Sequence, residues 1–250
     1  MEREEFLHFD SLNAIKSTDV FNATFNLQKT YTKLKNIHIK NMELPICFPN
    51  IRSSNLSNNL QFTLNSVNHS ITITERNYTT IGALLTDLNT AIATLTSSLD
   101  LGFTFVLSTG IKNNIIITMD GVLINLTIQN TTLSIILGLN GATTSSLTYT
   151  SPNSFNINYD LYVLMSFDNI PSVFSSSGNI RSALKIPLGT NYGNINYYFS
   201  HHSDKDMSLI VYDENFIFQN LQIKFYDRFG YLLSNNNVDY SFTISLVYTL

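Results

Sequence analysis

Two kinds of apolar spacing divide this chain. Residues 21–28 and 240–249 place an apolar side chain at every second position, which is the spacing of a strand that buries one face. Residues 80–95 place apolar side chains three and four positions apart, which predicts an amphipathic helix. The sequence therefore predicts a fold that is mainly β at its two ends and carries a helical segment between them.

Polar connections mark the limits of that middle segment. Residues 53–59 are rich in Ser and Asn, and residues 141–154 are rich in Ser and Thr, as loops between folded segments often are. About eight strand candidates remain outside 59–148, the number found in a jelly roll. We therefore predict a mainly β fold: a single jelly roll with two antiparallel sheets, formed by residues 19–58 and 149–250, and a small α+β subdomain inserted at 59–148.

The two ends of the chain have different predicted roles. Residues 1–18 show no sustained apolar period and are predicted to form an N-terminal arm that docks on a partner. Removal of residues 1–15 is expected to leave the fold intact. Since the first and last strands of a jelly roll lie side by side, residues 21–27 and 240–248 are expected to pair antiparallel.

The composition limits the partners of the chain. Charged residues make up 13% of the sequence and the net charge is −4, whereas an average soluble domain has about 25% charged residues. No basic field is present to hold phosphates, so nucleic acid is not a predicted partner. No apolar run reaches the ~18 residues of a membrane span, and residues 1–10 lack the apolar core of a secretion signal. The weakly charged surface suits a protein that neighbouring molecules cover.

The sequence offers no clear centre for chemistry. Residues 201–206 read HHSDKD, but adjacent histidines on an extended segment point to opposite sides, so a polar loop is favoured over a metal site or a pH switch. Cys47 lies in an apolar run, which predicts a buried, inert thiol. The carboxylates at 160, 168, 213, 214, 227 and 239 include positions at strand ends, where Asp favours turns. We predict no catalytic, cofactor-binding or metal-binding residue, and no enzyme activity.

Several segments together resemble a known family. Residues 34–52, LKNIHIKNMELPICFPNIR, and residues 77–89, NYTTIGALLTDLN, resemble the minor capsid (penton) proteins of large double-stranded DNA viruses and their virophages. Further segments follow in the same order: TLSIILGL at 132–139, YDLYVLMSFDNIPS at 159–172, KIPLG at 185–189 and LQIKFYDRFGYLLSNNNVDYSFTISLVY at 221–248. Together these segments span most of the chain after residue 18.

The resemblance implies a structural role. It implies a homopentamer that forms the vertex capsomer of an icosahedral virion, assembled in the cytoplasm of the infected host cell, and contacts trimers of the major capsid protein and other minor capsid proteins. The insertion at 59–148 would be the place to contact a fibre or a host receptor. The interface residues expected are Phe6, Phe9, Phe48, Asn50 and Arg52. No cofactor is implied.

Two other functions are alternatives to this one. A receptor- or carbohydrate-binding β module on a virion surface is the alternative, because a fold does not fix a function. The chain has no Trp, which disfavours a sugar site, although Tyr162, Tyr192, Tyr197 and Tyr198 can also stack on sugars. A metal-dependent jelly-roll enzyme needs histidines on neighbouring strands, and His38 is the only histidine in a well-defined predicted strand.

Overall fold

The chain folds into two compact units. The computed structural model describes residues 1–16, 19–96, 103–108, 113–119, 125–141, 143–158, 160–168, 170, 183–190, 192–199, 208–210 and 216–250. The first unit combines Met1–Phe48 with Asp160–Leu250, and the second unit is Pro49–Tyr159. The second unit begins ten residues before and ends eleven residues after the insertion predicted at 59–148. Residues before 59 belong to it because Ile51 forms a β-bridge with Arg76.

Strands account for most of the regular structure. In chain order they are β1 (Glu2–Asp10), β2 (Ile15–Lys16), β3 (Asn22–Tyr31), β4 (Leu34–Pro45), β5 (Asn59–Leu64), β6 (Val67–Thr72), β7 (Phe103–Leu107), β8 (Ile115–Met119), β9 (Leu126–Ile128), β10 (Thr143–Thr144), β11 (Thr148–Thr150), β12 (Tyr162–Phe167), β13 (Ala183–Pro187), β14 (Ile195–Phe199), β15 (Ser208–Ile210), β16 (Phe218–Tyr226) and β17 (Ser241–Thr249). The helices are α1 (Ile81–Thr96), α2 (Thr132–Ile136) and a 3-10 turn (Ser11–Asn13).

The first unit is a jelly roll of two antiparallel sheets. Sheet I has the order β1-β17-β4-β14, and β15 pairs with another part of β4. Sheet II has the order β13-β12-β16-β3-β2. All of these pairings are antiparallel. The predicted fold class, a mainly β jelly roll with an inserted α+β subdomain, is confirmed.

The predicted pairing of residues 21–27 with 240–248 is wrong. β3 pairs with β16 in sheet II, whereas β17 lies between β1 and β4 in sheet I. Alternating apolar residues fix which face of a strand is buried, but they do not fix its partner, because every half-buried strand has the same period. The partner of β17 comes instead from the start of the chain.

Strand β1 forms where an arm was predicted. It pairs with β17 along its whole length, from Glu2 opposite Thr249 to Asp10 opposite Ser241. Its acidic side chains meet lysines of other strands: Glu5 lies 2.9 Å from Lys29, and Glu4 lies 3.3 Å from Lys40. These lysines are 24 to 36 positions away in the sequence. The sequence alone therefore shows an acidic segment without nearby positive charges, which favours a solvent-exposed arm.

Aromatic rings join the two sheets in the core of the first unit. Phe9 of β1 stacks on Phe242 of β17 with ring centroids 4.9 Å apart. Phe25 of β3 meets Phe9 edge-on at 5.2 Å and Phe242 at 5.6 Å. All three rings are buried. Such ring pairs add to the stabilisation from buried area, so β1 is anchored in the core through Phe9.

The second unit packs two small sheets with its helices. The sheets have the orders β10-β9-β5-β6 and β11-β8-β7. The helix predicted at 80–95 is confirmed as α1, and Leu84, Leu88 and Ile92 on its apolar stripe are buried. No helix in the described parts of the chain is long and apolar enough to cross a membrane.

Candidate assembly surfaces

The described side chains do not form a catalytic or metal centre. No group of three or more His, Cys, Asp or Glu side chains lies together among the residues that the structure describes. The HHSDKD segment at 201–206 lies outside those residues. Cys47 is half-buried, and burial raises the pKa of its thiol, which disfavours the reactive thiolate.

Several of the carboxylates noted in the sequence have structural partners. Asp227 accepts hydrogen bonds of 2.9 Å from the backbone N–H groups of Phe229 and Tyr231 and so closes a turn. Asp168 forms an ion pair with Lys224 on the neighbouring strand. Such hydrogen bonds and ion pairs are common structural roles of Asp at turns and strand ends. The carboxylates at 213 and 214 are outside the described residues.

The five residues predicted for the interface lie in different environments. Phe6 is on the surface, with 61% of the residue exposed, whereas Phe9, Phe48 and Arg52 are buried. Asn50 is half-buried, and its side chain accepts a hydrogen bond from the N–H of Tyr78 and donates to two backbone carbonyls. Membership of an interface stays a prediction for these residues. Within one chain, Phe6 alone among them has a largely exposed side chain.

A row of exposed apolar residues lies on edge strand β14. Ile195, Tyr197 and Phe199 are 45%, 58% and 65% exposed and point to the outer face of sheet I. The buried residue between them is polar: Asn196 accepts a hydrogen bond from the N–H of Gly189 and donates one to the carbonyl of Pro187. The apolar side chains at 195, 197 and 199 therefore face outward, while the inner face of β14 holds Asn196 and the half-buried Tyr198, which packs against the core; this departs from the usual apolar-in, polar-out order. We call Ile195, Tyr197 and Phe199 the β14 row.

The opposite edge of sheet I also carries an exposed ring. Phe6 of β1 points to the outer face, and the Nζ of Lys40 lies 5.7 Å from its ring centroid. Lys40 in turn pairs with Glu4. His38 lies half-buried on the same face of β4, and burial followed by the charge of Lys40 lowers its pKa. The outer face of sheet I thus has exposed aromatic rings at both edge strands.

A groove of about 670 Å³ lies where β1 and β3 face each other. At one end Glu5 accepts hydrogen bonds from Lys29 at 2.9 Å, from the Tyr31 hydroxyl at 2.8 Å and from the Tyr248 hydroxyl at 3.0 Å. The bond from Lys29 is the largest cause that lowers the pKa of Glu5. Burial, and then the bond to Glu5, raise the pKa of Tyr31 to about 12. This network links the two sheets.

The second unit has few charges and two rows of threonines. Only seven of its 111 residues are Asp, Glu, Lys or Arg. Across its four-stranded sheet, Thr127 of β9 lies opposite both Thr63 of β5 and Thr143 of β10. Across its three-stranded sheet, Thr118 of β8 lies opposite both Thr104 of β7 and Thr148 of β11. Such cross-strand threonine pairs stabilise sheets and give each sheet a hydroxyl-bearing outer face.

The fold defines a class: a jelly-roll protein with an inserted α+β unit. Among solved structures, the chain is similar to the crystal structure of a selenomethionine-labelled penton protein of mavirus, with a TM-score of 0.53. The match covers 98% of this chain and 99% of that chain at 11% sequence identity. No protein-family model matches the sequence, and no curated protein matches it significantly. At this identity the likeness establishes the fold.

Proposed function

We propose that this chain is a structural capsid protein that forms the pentameric vertex capsomer of an icosahedral virion. One observation carries the proposal: the likeness to the mavirus penton protein runs over 98% of this chain. A likeness limited to a common jelly roll would leave Pro49–Tyr159 unmatched, because that unit is an insertion. The likeness therefore extends over the residues of both units of this chain.

The surface of the first unit supports an assembly role. A ring of identical subunits needs two different patches on each copy, so that one patch meets the other on the next copy. Sheet I carries exposed apolar side chains at both of its edges, Phe6 on β1 and the β14 row on β14. The same proposal includes contacts to trimers of the major capsid protein and to other minor capsid proteins. It also includes assembly of the chain into particles of a double-stranded DNA virus in the host cytoplasm.

Cryo-electron microscopy of purified virions tests the proposed role. We expect density that fits both units of this chain at the fivefold vertices, and a purified recombinant protein with about five times the chain mass of 28.2 kDa. Particles that lack the chain, or that hold it only away from the fivefold axes, would overturn the proposal.

A second candidate function is carbohydrate binding by the second unit, as part of receptor contact. The observation that favours it is the pair of threonine rows, since uncharged hydroxyl and amide groups suit hydrogen bonds to sugar hydroxyls. A glycan array with the full chain tests it. Binding that is lost in Thr63→Val/Thr127→Val, and kept in Thr86→Val on the exposed face of α1, would support this function; an array without any bound glycan would reject it.

A further inference from the structure

We propose that neighbouring copies of this chain join by continuing sheet I, with β14 of one copy paired antiparallel to β1 of the next. This inference rests on the proposed ring-forming capsomer and names the strands that would close the ring. The partner is a second copy because the two strands are the opposite edges of one sheet. Each edge is then covered by the other.

Both edge strands offer an open side. β1 pairs with β17, and β14 pairs with β4; among the strands that the structure describes, neither has a partner on its other side. An open edge presents backbone N–H and C=O groups that can bind another strand. Proteins guard such edges with charges or proline, but the β14 sequence INYYF has neither. An uncharged edge strand with exposed aromatic side chains is expected to be covered in the working protein.

The order of the strands permits the junction. Each strand of β1-β17-β4-β14 is antiparallel to its neighbour, so β14 runs opposite to β1 within one copy. Copies around a rotation axis that follows the strands keep their strand directions. β14 of one copy would therefore lie antiparallel to β1 of the next, and the alternation of sheet I would continue without a break.

The two edges also match in length. β1 has nine residues. The opposite edge consists of β14, with five residues beside Asn41–Pro45 of β4, and β15, with three residues beside 36–38. Both edges flank the β17–β4 pair, which extends over nearly all of β17. Through these pairings Tyr197–Phe199 of β14 is level with residues 8–10 of β1, and β15 is level with residues 4–6; residues 200–207, between β14 and β15, lie outside the described part of the chain.

The pairings within sheet I set which residues would meet at the junction. Phe199 lies beside Asn41, Asn41 beside Thr243, and Thr243 beside His8; Tyr197 is in the same way level with Asp10. A rotation axis that follows the strands keeps these levels, so Phe199 of one copy would lie opposite His8 of the next, and Tyr197 opposite Asp10. The bonds from Ser11 N–H to the Tyr240 carbonyl and from Leu250 N–H to the Met1 carbonyl turn the backbone groups of the odd-numbered residues of β1 toward β17, so the backbone groups of His8 and Asp10 face the open edge.

Paired cysteines test the junction in the full-length chain. Directly opposed residues of a hydrogen-bonded antiparallel pair have Cα atoms about 5.5 Å apart, which suits a disulfide. In a Cys47→Ser background, His8→Cys/Phe199→Cys is expected to give a reducible ladder of covalent multimers on mild oxidation. Either single substitution gives no ladder, because in a head-to-tail contact position 8 meets position 199 and neither position meets its own copy.

A charge substitution provides the second measurement. Tyr197→Glu, which would face Asp10 of the next copy, is expected to lower the mass in solution from that of the ring to the 28.2 kDa of one chain, with an unchanged circular dichroism spectrum. Val67→Glu is the matched control, because Val67 is an exposed apolar residue of the second unit; it is expected to leave the ring intact.

The outcomes separate this inference from the proposed function. A wild-type ring that persists in Tyr197→Glu, with no ladder from the paired cysteines, overturns the β14–β1 junction and leaves the capsomer role standing. A wild-type chain that forms no ring in solution or in particles overturns both. A ladder together with loss of the ring in Tyr197→Glu supports the junction.

Discussion

The Oδ1 atom of Asp19 accepts a hydrogen bond of 3.0 Å from the backbone N–H of Asn235, 216 positions later in the chain. The same buried carboxylate accepts from the N–H of Phe21 at 2.9 Å and from the hydroxyl of Ser234 at 2.7 Å. Asn235 then holds the N–H of Cys47 through its own side chain at 3.0 Å. The Asp19 carboxylate and the Asn235 side chain together link three segments that are distant in sequence.

Replacing Asp19 is expected to destabilise the first unit. Asp19→Ala leaves buried donors without an acceptor, which costs about 1–3 kcal/mol. Asp19→Asn keeps one acceptor oxygen and is expected to lose less. Urea denaturation followed by tyrosine fluorescence measures the change. Asp10→Ala serves as the control, since Asp10 accepts an exposed bond from Leu12; an equal loss in both variants would contradict the role given to Asp19.

The same carboxylate predicts a pH dependence of stability. Burial raises the pKa of Asp19, but hydrogen bonds, led by those from Phe21 and Asn235, outweigh it, so that the net pKa is lowered. A carboxyl group whose pKa is lower in the folded than in the unfolded protein stabilises the fold at any pH above its unfolded pKa, which is about 3.9 for Asp. That stabilisation is lost as the pH falls from there through the pKa of the folded state. We expect the difference in urea midpoint between wild type and Asp19→Asn to be constant from pH 7 to 5.

Below about pH 4 the difference in urea midpoint between wild type and Asp19→Asn is expected to shrink, because Asp19 becomes protonated in wild type as the pH approaches and passes its pKa in the folded protein. Asp19→Asn has no group that titrates at this position, so it supplies its own baseline. A difference that stays constant down to pH 2 would show that Asp19 does not contribute through its charge.

Two rings on one strand are expected to differ in their effect on folding. Phe9 is buried against Phe25 and Phe242, whereas Phe6 on the same strand is exposed. Phe9→Ala is expected to cost about 3–5 kcal/mol, as for other buried phenylalanines. Phe6→Ala is expected to stay within about 0.5 kcal/mol in the single chain. Thermal unfolding of the unassembled protein measures both values.

Deleting residues 1–10 is therefore expected to destabilise the first unit, contrary to the expectation for a docking arm. The deletion removes the ring of Phe9 from the core and exposes the edge of β17. A truncated chain that unfolds at the wild-type temperature would restore the arm as the better description.

A side chain of α1 is expected to secure strand β7. Asn89 accepts a hydrogen bond of 2.8 Å from the N–H of Phe105 and donates one of 2.9 Å to its carbonyl, as a neighbouring strand would. Asn89→Ala leaves both backbone groups without this partner and is expected to cost about 1–3 kcal/mol. Hydrogen exchange at the Phe105 amide should accelerate. Thr90→Ala, on the exposed face of α1, should leave that exchange rate unchanged.

Helix α1 and strand β1 illustrate what sequence can and cannot predict here. The residues that define α1, such as Leu84 and Leu88, lie within a few positions of each other, so the local spacing is enough. The charges of β1 find their partners only after folding, as Glu5 does with Lys29. The spacing of residues within a short segment carries no information about ion pairs between residues far apart in the sequence. The pattern at the start of the chain therefore predicts a solvent-exposed arm.

The candidate interface was harder to predict than the fold. Alternation in Ile195–Phe199 predicts a strand, and the usual rule would bury the apolar set Ile195, Tyr197 and Phe199. The structure buries Asn196 instead, because its amide pairs with the backbone of Pro187 and Gly189. Which face is buried depends on this distant polar partner. The exposed position of Tyr197 therefore could not follow from the sequence pattern.

Two glycines of the second unit are expected to respond oppositely to alanine. Gly138 has a φ of +73°, and an added Cβ would overlap the carbonyl of Asn153. Gly138→Ala therefore forces an alanine into a left-handed backbone conformation and against the Asn153 carbonyl. Backbone strain alone costs about 1–3 kcal/mol, and we expect the free energy of unfolding to fall by more than that. Gly82 lies in α1, and nothing is within 4 Å of an added Cβ there. Gly82→Ala is expected to stabilise the helix by up to about 1 kcal/mol.

Calorimetry of the full chain measures both substitutions in one series. The expected result is a lower unfolding temperature for Gly138→Ala and a higher one for Gly82→Ala, both in the transition of the second unit. The first unit supplies an internal reference, because neither glycine belongs to it. If Gly138→Ala unfolded at the wild-type temperature, the chain near residue 138 would have to adopt a backbone that tolerates a side chain, and the close approach to Asn153 would not be required.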